Sequence, residues 1–265
     1  MIKNVKRVAY KVLPYPMLDF ARRLRYARRF VANIDEIEPD AKIVRHLVHP
    51  GDIAIDVGAN LGLYTRLLSF LTSTNGKVYS LEPVPGTYAI LASNVRRADL
   101  KNVELINCAV SSQDQTVVIE IPIFDTGGES YYDAAVVPET HINTSLRHFR
   151  VEAKTLDTLF ADKLNRVQLI KCDIEGYELA CLQGATRLVE KFHPIWLIEV
   201  KGDPGNAEMP AYKTFEWLTS KGYKPFYFAD GKLVEWHSPE LSLNYFFLTK
   251  THVETFADLL KDRIS

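Results

Sequence analysis

Apolar positions along the chain follow two rhythms. Short apolar runs bounded by turn formers predict strands covered on both faces, and apolar positions three and four apart predict helices. The runs are Asp52–Val57, Lys77–Leu81, Asn102–Asn107, Arg166–Cys172 and Ile195–Val200. Helical spacing marks Leu61–Leu71, Pro85–Ala98, Gly176–Lys191 and Tyr212–Lys221. Strands that alternate with helices predict parallel βαβ units. Two aromatic-rich strands then follow, Tyr223–Phe228 and Leu243–Thr249, with a turn at Asp230-Gly231 and no helix between them. The expected fold class is α/β, a doubly wound sheet with an antiparallel C-terminal strand.

Two stretches break this rhythm. Thr116–Ile121 alternates apolar and polar, and residues 122–150 are rich in turn formers and aromatics, among them Gly127-Gly128, Tyr131, Tyr132, His141 and His148. A loop of that length between the third and fourth strands reads as a lid over a substrate. At the start, Met17, Phe20, Ala21, Leu24, Ala27 and Val31 recur at helical spacing, with Arg22, Arg23, Arg25 and Arg29 on the other sides. The expected organisation is a basic N-terminal helical arm at 1–44, a main domain at 45–250 with the lid at 122–150, and a C-terminal helix at 251–265.

Charge sharpens the picture of the arm. The total is -1, yet residues 1–30 hold nine Lys or Arg and one acid, Asp19. The preferred reading docks the apolar stripe on the main domain. The alternative is peripheral contact of residues 1–32 with an anionic membrane surface. The acidic body lacks a basic groove, which argues against a nucleic-acid partner. Apolar residues make up 47% of the chain and charged ones 25%, as in ordinary globular proteins. Cys108, Cys172 and Cys181 have no CxxC spacing, so no disulfide framework or zinc knuckle is expected, and a cytoplasmic location fits. No apolar run approaches about 18 residues, and the start has no signal-type apolar core.

The candidate chemistry begins in Ile53–Thr65. A buried strand ends at Asp56, and Gly58, Asn60 and Gly62 lead into a helix. Glycines there let backbone turn sharply and approach a ligand, and ligands of open α/β sheets sit beyond the carboxyl ends of the strands. Glu82, at the end of the next strand, can accept from both hydroxyls of a ribose. The glycine spacing is GxxxG, an incomplete pyrophosphate fingerprint. Asp56 would repel a pyrophosphate but suits the ammonium of a methionine moiety. A sulfonium nucleoside is therefore favoured over NAD.

Several motifs in order carry a family resemblance: Asp56-Val-Gly-Ala-Asn-Leu-Gly, Leu81-Glu-Pro, Asn107-Cys-Ala-Val, Thr155-Leu-Asp-Thr-Leu, Ile170-Lys-Cys-Asp-Ile-Glu-Gly-Tyr-Glu178, Leu182-Gln-Gly-Ala and Pro194-Ile-Trp-Leu-Ile-Glu199. Together they resemble the FkbM family of methyltransferases over roughly residues 48–200. The resemblance implies a class I methyltransferase (Rossmann-like) fold, S-adenosylmethionine as donor, and O-methylation of a sugar, glycan or other small molecule. It implies that Asp56, Gly58, Asn60 and Gly62 line the methionine end, that Glu82 holds the ribose, and that Asn107, Cys108 and Ala109 lie near the adenine. Thr65, at the start of the helix, is counted in the same donor site.

A hydroxyl is a poor nucleophile and needs a base or a metal. The expected catalytic residues are Asp173, Glu175 and Lys171, with alternation placing Lys171 and Asp173 on one face. A hard divalent cation held by Asp173, Glu175 and Glu199 is the second route; carboxylate chemistry with no metal is preferred. Glu178 reads as a helix-start charge. Lys171 reads equally as a structural partner of Asp173. Two other function classes stay in view, an NAD-dependent oxidoreductase and a non-catalytic binding module recruited through the basic arm.

Overall fold

The computed structural model describes residue 17 and residues 26–123, 129–131, 133–239 and 241–261. The arm before residue 26, apart from residue 17, lies outside them, and so do Gly127-Gly128 and Tyr132.

The main sheet is built from β1 (Ile53–Val57), β2 (Lys77–Leu81), β3 (Val103–Ile106), β8 (Leu169–Cys172), β9 (Ile195–Glu199), β10 (Tyr223–Ala229), β11 (Lys232–Glu235) and β12 (Asn244–Thr249). Their spatial order is β11-β10-β12-β9-β8-β1-β2-β3. β1, β2, β3, β8 and β9 run parallel, and β12 inserts antiparallel between β9 and β10. This is a doubly wound α/β sheet in which the expected reversed C-terminal strand, β12, lies third from one edge. All four residues of β8 are buried, as are all but the first of β1, which explains their continuous apolar character.

Three local readings change. The Asp230-Gly231 turn joins β10 to the additional strand β11 rather than to β12. The helix expected over Gly176–Lys191 is two helices, Glu178–Gln183 and Thr186–Phe192. At the break a Cβ on Gly184 would lie 2.1 Å from the Ser111 carbonyl oxygen. Asp157 caps the second helix by accepting from the Arg187 and Leu188 amides at 2.9 and 2.8 Å. At the C-terminus the helix covers Lys250–Thr255, with a 3-10 turn at Ala257–Leu259.

Within the stretch read as a lid, the described residues contribute one strand and the start of another to a second sheet. β4 (Ala109–Val110), β5 (Gln115–Ile121), β6 (Ala135–Val137) and β7 (Arg147–Lys154) order as β4-β7-β5-β6. Phe149, Val151 and Ala153 alternate with polar residues, a period-two signal that reveals β7. The sheet buries Val117, Ile119, Ile121, Tyr131, Val151 and Ala153 against Val84 and Ala109. Asn107 and Cys108 carry the chain from β3 of the main sheet into β4 of the second.

Residues 26–48 pack on the main domain. Tyr26, Phe30 and Ile34 are buried. Arg66 stacks 5.3 Å above the Phe30 ring and donates to the Ala32 carbonyl at 2.6 Å. Asn244, at the start of β12, donates to Asp40 at 2.6 Å. Among the described residues, no helix is long and apolar enough to cross a membrane.

Candidate active site

A cavity of about 410 Å³ opens beyond the carboxyl ends of the parallel strands, and the second sheet forms one of its walls. Its shape begins with the loop after β1. Gly58, Asn60 and Gly62 all have positive φ, at 76°, 50° and 91°. Gly58 lies so close to β8 that a Cβ would sit 1.9 Å from the Asp173 carbonyl oxygen. The loop is held from β2. The Gly58 and Ala59 amides donate to the Leu81 carbonyl at 3.0 and 2.9 Å. Glu82 Oε2 accepts from the Asn60 amide at 3.0 Å, and Oε1 from the Val84 amide at 2.9 Å. Burial dominates these hydrogen bonds and pushes the Glu82 carboxyl up to about 7.

Asp56, Gly58, Asn60, Glu82, Cys108, Ala109, Lys171, Asp173 and Glu175 all line this cavity. Three other expected donor-site residues stand behind the lining. Thr65 is fully buried and donates to Asp56 Oδ2 at 2.6 Å. Gly62 caps the helix Leu63–Thr72 in a left-handed conformation, where a Cβ would meet Leu91 at 2.7 Å. The Asn107 amide donates to the carbonyls of Glu82 and Pro83 at 2.8 and 3.1 Å, fixing the turn that carries Glu82. Asp56 Oδ1 and Asn60 Oδ1 are buried without a hydrogen-bond partner. Buried polar atoms are normally satisfied, so such orphans point to a ligand.

The lining contributed by the ends of β8 and β9 is acidic. The turn after β8 places Glu175 at φ 56° and Gly176 at φ 91°, a strained backbone typical of functional sites. Glu178 stabilises this turn by accepting from the Gly176 amide at 2.9 Å and the Ile174 amide at 3.3 Å. Lys171 is buried and donates to Asp173 at 2.9 Å. Burial opposes its charge, but Asp173 and Asp56 outweigh that and hold it protonated. Lys201 pairs with Glu175 and stands 3.8 Å from Glu199. Carboxylate oxygens of Asp173, Glu175 and Glu199 lie within 4.8 Å of one another. Burial, then repulsion from Asp173 and Glu175, raises the Glu199 carboxyl to about 7.

Several lining residues escaped the sequence reading: Arg29, Glu38, Tyr64, Lys201 and Asp133. Lys201 could have been found by its place two residues beyond Glu199. Arg29 and Glu38 could not, because only tertiary packing brings residues 26–48 to this cavity. Burial pushes the Cys108 thiol up to about 11, so it packs here as a neutral, apolar group.

The methyltransferase FkbM domain pattern matches residues 56–225. A hexuronic acid methyltransferase, AglP, from Haloferax volcanii is 26% identical over 176 residues, covering 62% of this chain and 67% of its own. The 31-O-demethyl-FK506 methyltransferase FkbM of Streptomyces tacrolimicus is 36% identical over 80 residues, 29% of this chain and 30% of its own. Methyltransferase 1 of Beauveria bassiana is 23% identical over 150 residues, 49% of this chain and 57% of its own, so the match spans little more than half of that relative. A solved methyltransferase FkbM from Methylobacillus flagellatus aligns with TM-score 0.47 at 15% identity, over 87% of this chain and 60% of that one. With the family pattern covering well over half of the chain, this protein belongs to the FkbM methyltransferase family.

Proposed function

We propose that the protein transfers the methyl group of S-adenosylmethionine to a hydroxyl oxygen of a sugar, glycan or other small molecule. The observation that carries this reading is one cavity lined both by a glycine-and-carboxylate cradle and by three convergent carboxylates. The residues present fit the donor. The orphaned oxygens of Asp56 and Asn60 suit a cationic amino-acid moiety, Glu82 keeps lone pairs for ribose hydroxyls, and Cys108, Ala109 and Val110 offer an apolar wall for adenine. Two relatives are named for a hexuronic acid and for the 31-O-demethyl form of FK506, which supports an oxygen acceptor. Tyr131 and Asp133, which line the cavity from the chain between β5 and β6, suit a sugar ring. Neither the dinucleotide nor the non-catalytic alternative finds support in the family match.

When bound, the donor supplies an activated methyl group, so the protein's task is to align and deprotonate the acceptor. Asp173 is committed to Lys171, and Glu175 to Lys201. Glu199 has no such close cation, and its raised carboxyl is poised to take a proton near neutral pH. We assign it the role of base, with Asp173 and Glu175 orienting the acceptor and Lys171 fixing Asp173.

The direct test is transfer of a labelled methyl group to pooled sugars, nucleotide sugars and lipid-linked glycans, with a thermal-shift comparison of S-adenosylhomocysteine against NAD. Stabilisation by NAD alone would overturn the donor.

Two predictions follow from the same geometry. Glu82→Ala strips the buried Asn60 and Val84 amides of their acceptor, at roughly 1–3 kcal/mol each. It should lower both the melting temperature and the calorimetric affinity for S-adenosylhomocysteine; unchanged affinity contradicts a ribose role. Activity should also survive exhaustive EDTA treatment, because a cation among Asp173, Glu175 and Glu199 would have to displace Lys201. Activity lost to EDTA and restored by Mg²⁺ or Mn²⁺ would transfer the role of base to a metal-bound route.

A further inference from the structure

We propose that Glu38 and Arg29 form a two-point clamp on the amino-acid end of the donor, Glu38 facing its ammonium and Arg29 its carboxylate. The inference rests on the donor reading above. Both residues precede the family-matched region 56–225, and both line the cavity beside Asn60, Leu63 and Tyr64. Phe30, next to Arg29, comes within 3.4 Å of a Cβ placed on Gly62, and the charge of Glu38 acts on the buried Tyr64 hydroxyl, so this segment reaches the Gly58–Gly62 loop.

Their segment is anchored rather than merely adjacent. The Glu38 amide donates to the Ile34 carbonyl at 2.7 Å, Asp40 is tied to Asn244, and Phe30 and Ala32 are gripped by Arg66. Glu38 is half-buried and feels Lys171, Asp173, Asp40 and Arg29. Asp56, which also lines the cavity, presents a fully buried oxygen with no partner, while Lys171 is already held by Asp173. An amine between Glu38 and Asp56 would satisfy that oxygen. A carboxylate on the same α-carbon then needs a cation at the rim, which Arg29 supplies. A zwitterion set against an acid–guanidinium pair matches both charges, so neither is buried unpaired.

The test uses calorimetric binding by the full-length protein of three nucleosides: S-adenosylhomocysteine, 5′-methylthioadenosine, which lacks the amino-acid end, and decarboxylated S-adenosylmethionine, which keeps the amine alone. Glu38→Gln and Arg29→Met should each weaken S-adenosylhomocysteine by about tenfold or more and leave methylthioadenosine within about twofold, the latter also reporting an intact fold. Decarboxylated donor should lose affinity with Glu38→Gln only. The clamp is rejected if either variant leaves S-adenosylhomocysteine unchanged, if it weakens methylthioadenosine equally, or if Arg29→Met weakens the decarboxylated donor. Wild-type protein that binds none of the three would instead sink the donor reading itself.

Discussion

Replacing Glu199 with glutamine should reduce methyl transfer by about 10²–10⁴-fold, the usual contribution of a positioned general base, while leaving donor affinity intact. The wild-type rate should rise with pH through about 7, where Glu199 ionises, and the variant should lose that limb. Stability should move in the opposite direction. The folded protein holds the Glu199 proton more tightly than the unfolded chain, whose glutamate titrates near 4.5. Its contribution is thus complete below that value and lost as pH rises through about 7. Glutamine carries no such charge, so at pH 8 the variant should melt at or above the wild-type temperature. An inactive variant that is no less stable separates chemistry from folding. Wild-type turnover by Glu199→Gln would return the role of base to Asp173 or Glu175, to be tested by Asp173→Asn.

Gly58→Ala should be the most damaging single-methyl change in the site. The new Cβ would stand 1.9 Å from the Asp173 carbonyl oxygen and 3.0 Å from Ile174 Cγ2, on a backbone at φ 76°. A positive φ alone costs a non-glycine residue roughly 1–3 kcal/mol, and the clash must also push the β8 turn away from β1. That turn carries Asp173 and Glu175, and a displacement of about 1 Å from reacting geometry costs about 10²-fold in rate. We expect both transfer and S-adenosylhomocysteine affinity to fall by at least that order. Gly176→Ala is the control: its φ is 91°, but a Cβ there meets nothing within 4 Å. Equal losses in the two variants would show that strain alone, and not contact between the β1 and β8 ends, shapes the site.

Much of the site was legible because it is built from short stretches of contiguous chain. Asp56 to Gly62 form one turn, and Lys171 to Glu178 another. Each holds its glycines and acids at spacings that local backbone geometry converts into position. Glu178 shows this well: its carboxylate closes its own turn two to four residues away. The sequence could not apportion the three acids among their partners. Lys201 takes Glu175 and Lys171 takes Asp173, and burial with repulsion from both acids raises Glu199 to about 7. That outcome depends on the ends of two strands, β8 and β9, and on burial, which no spacing encodes. The break at Gly184 was similarly hidden, since its cause is contact with Ser111, far away in the chain.

By itself the sequence determined the parallel β–α order, the reversed final strand, the glycine turn with its two acids, and hence the family, because apolar periodicity and local motifs are set by neighbouring residues. Tertiary structure alone decided that β4, β5, β6 and β7 pair into a second sheet beside the cavity and that Arg29 and Glu38 reach the site. It also decided that Glu199 has the loosest lysine partner of the three, at 3.8 Å from Lys201. Those facts come from long-range packing and from burial, which fixes the strength of each charge only once the chain has closed around it.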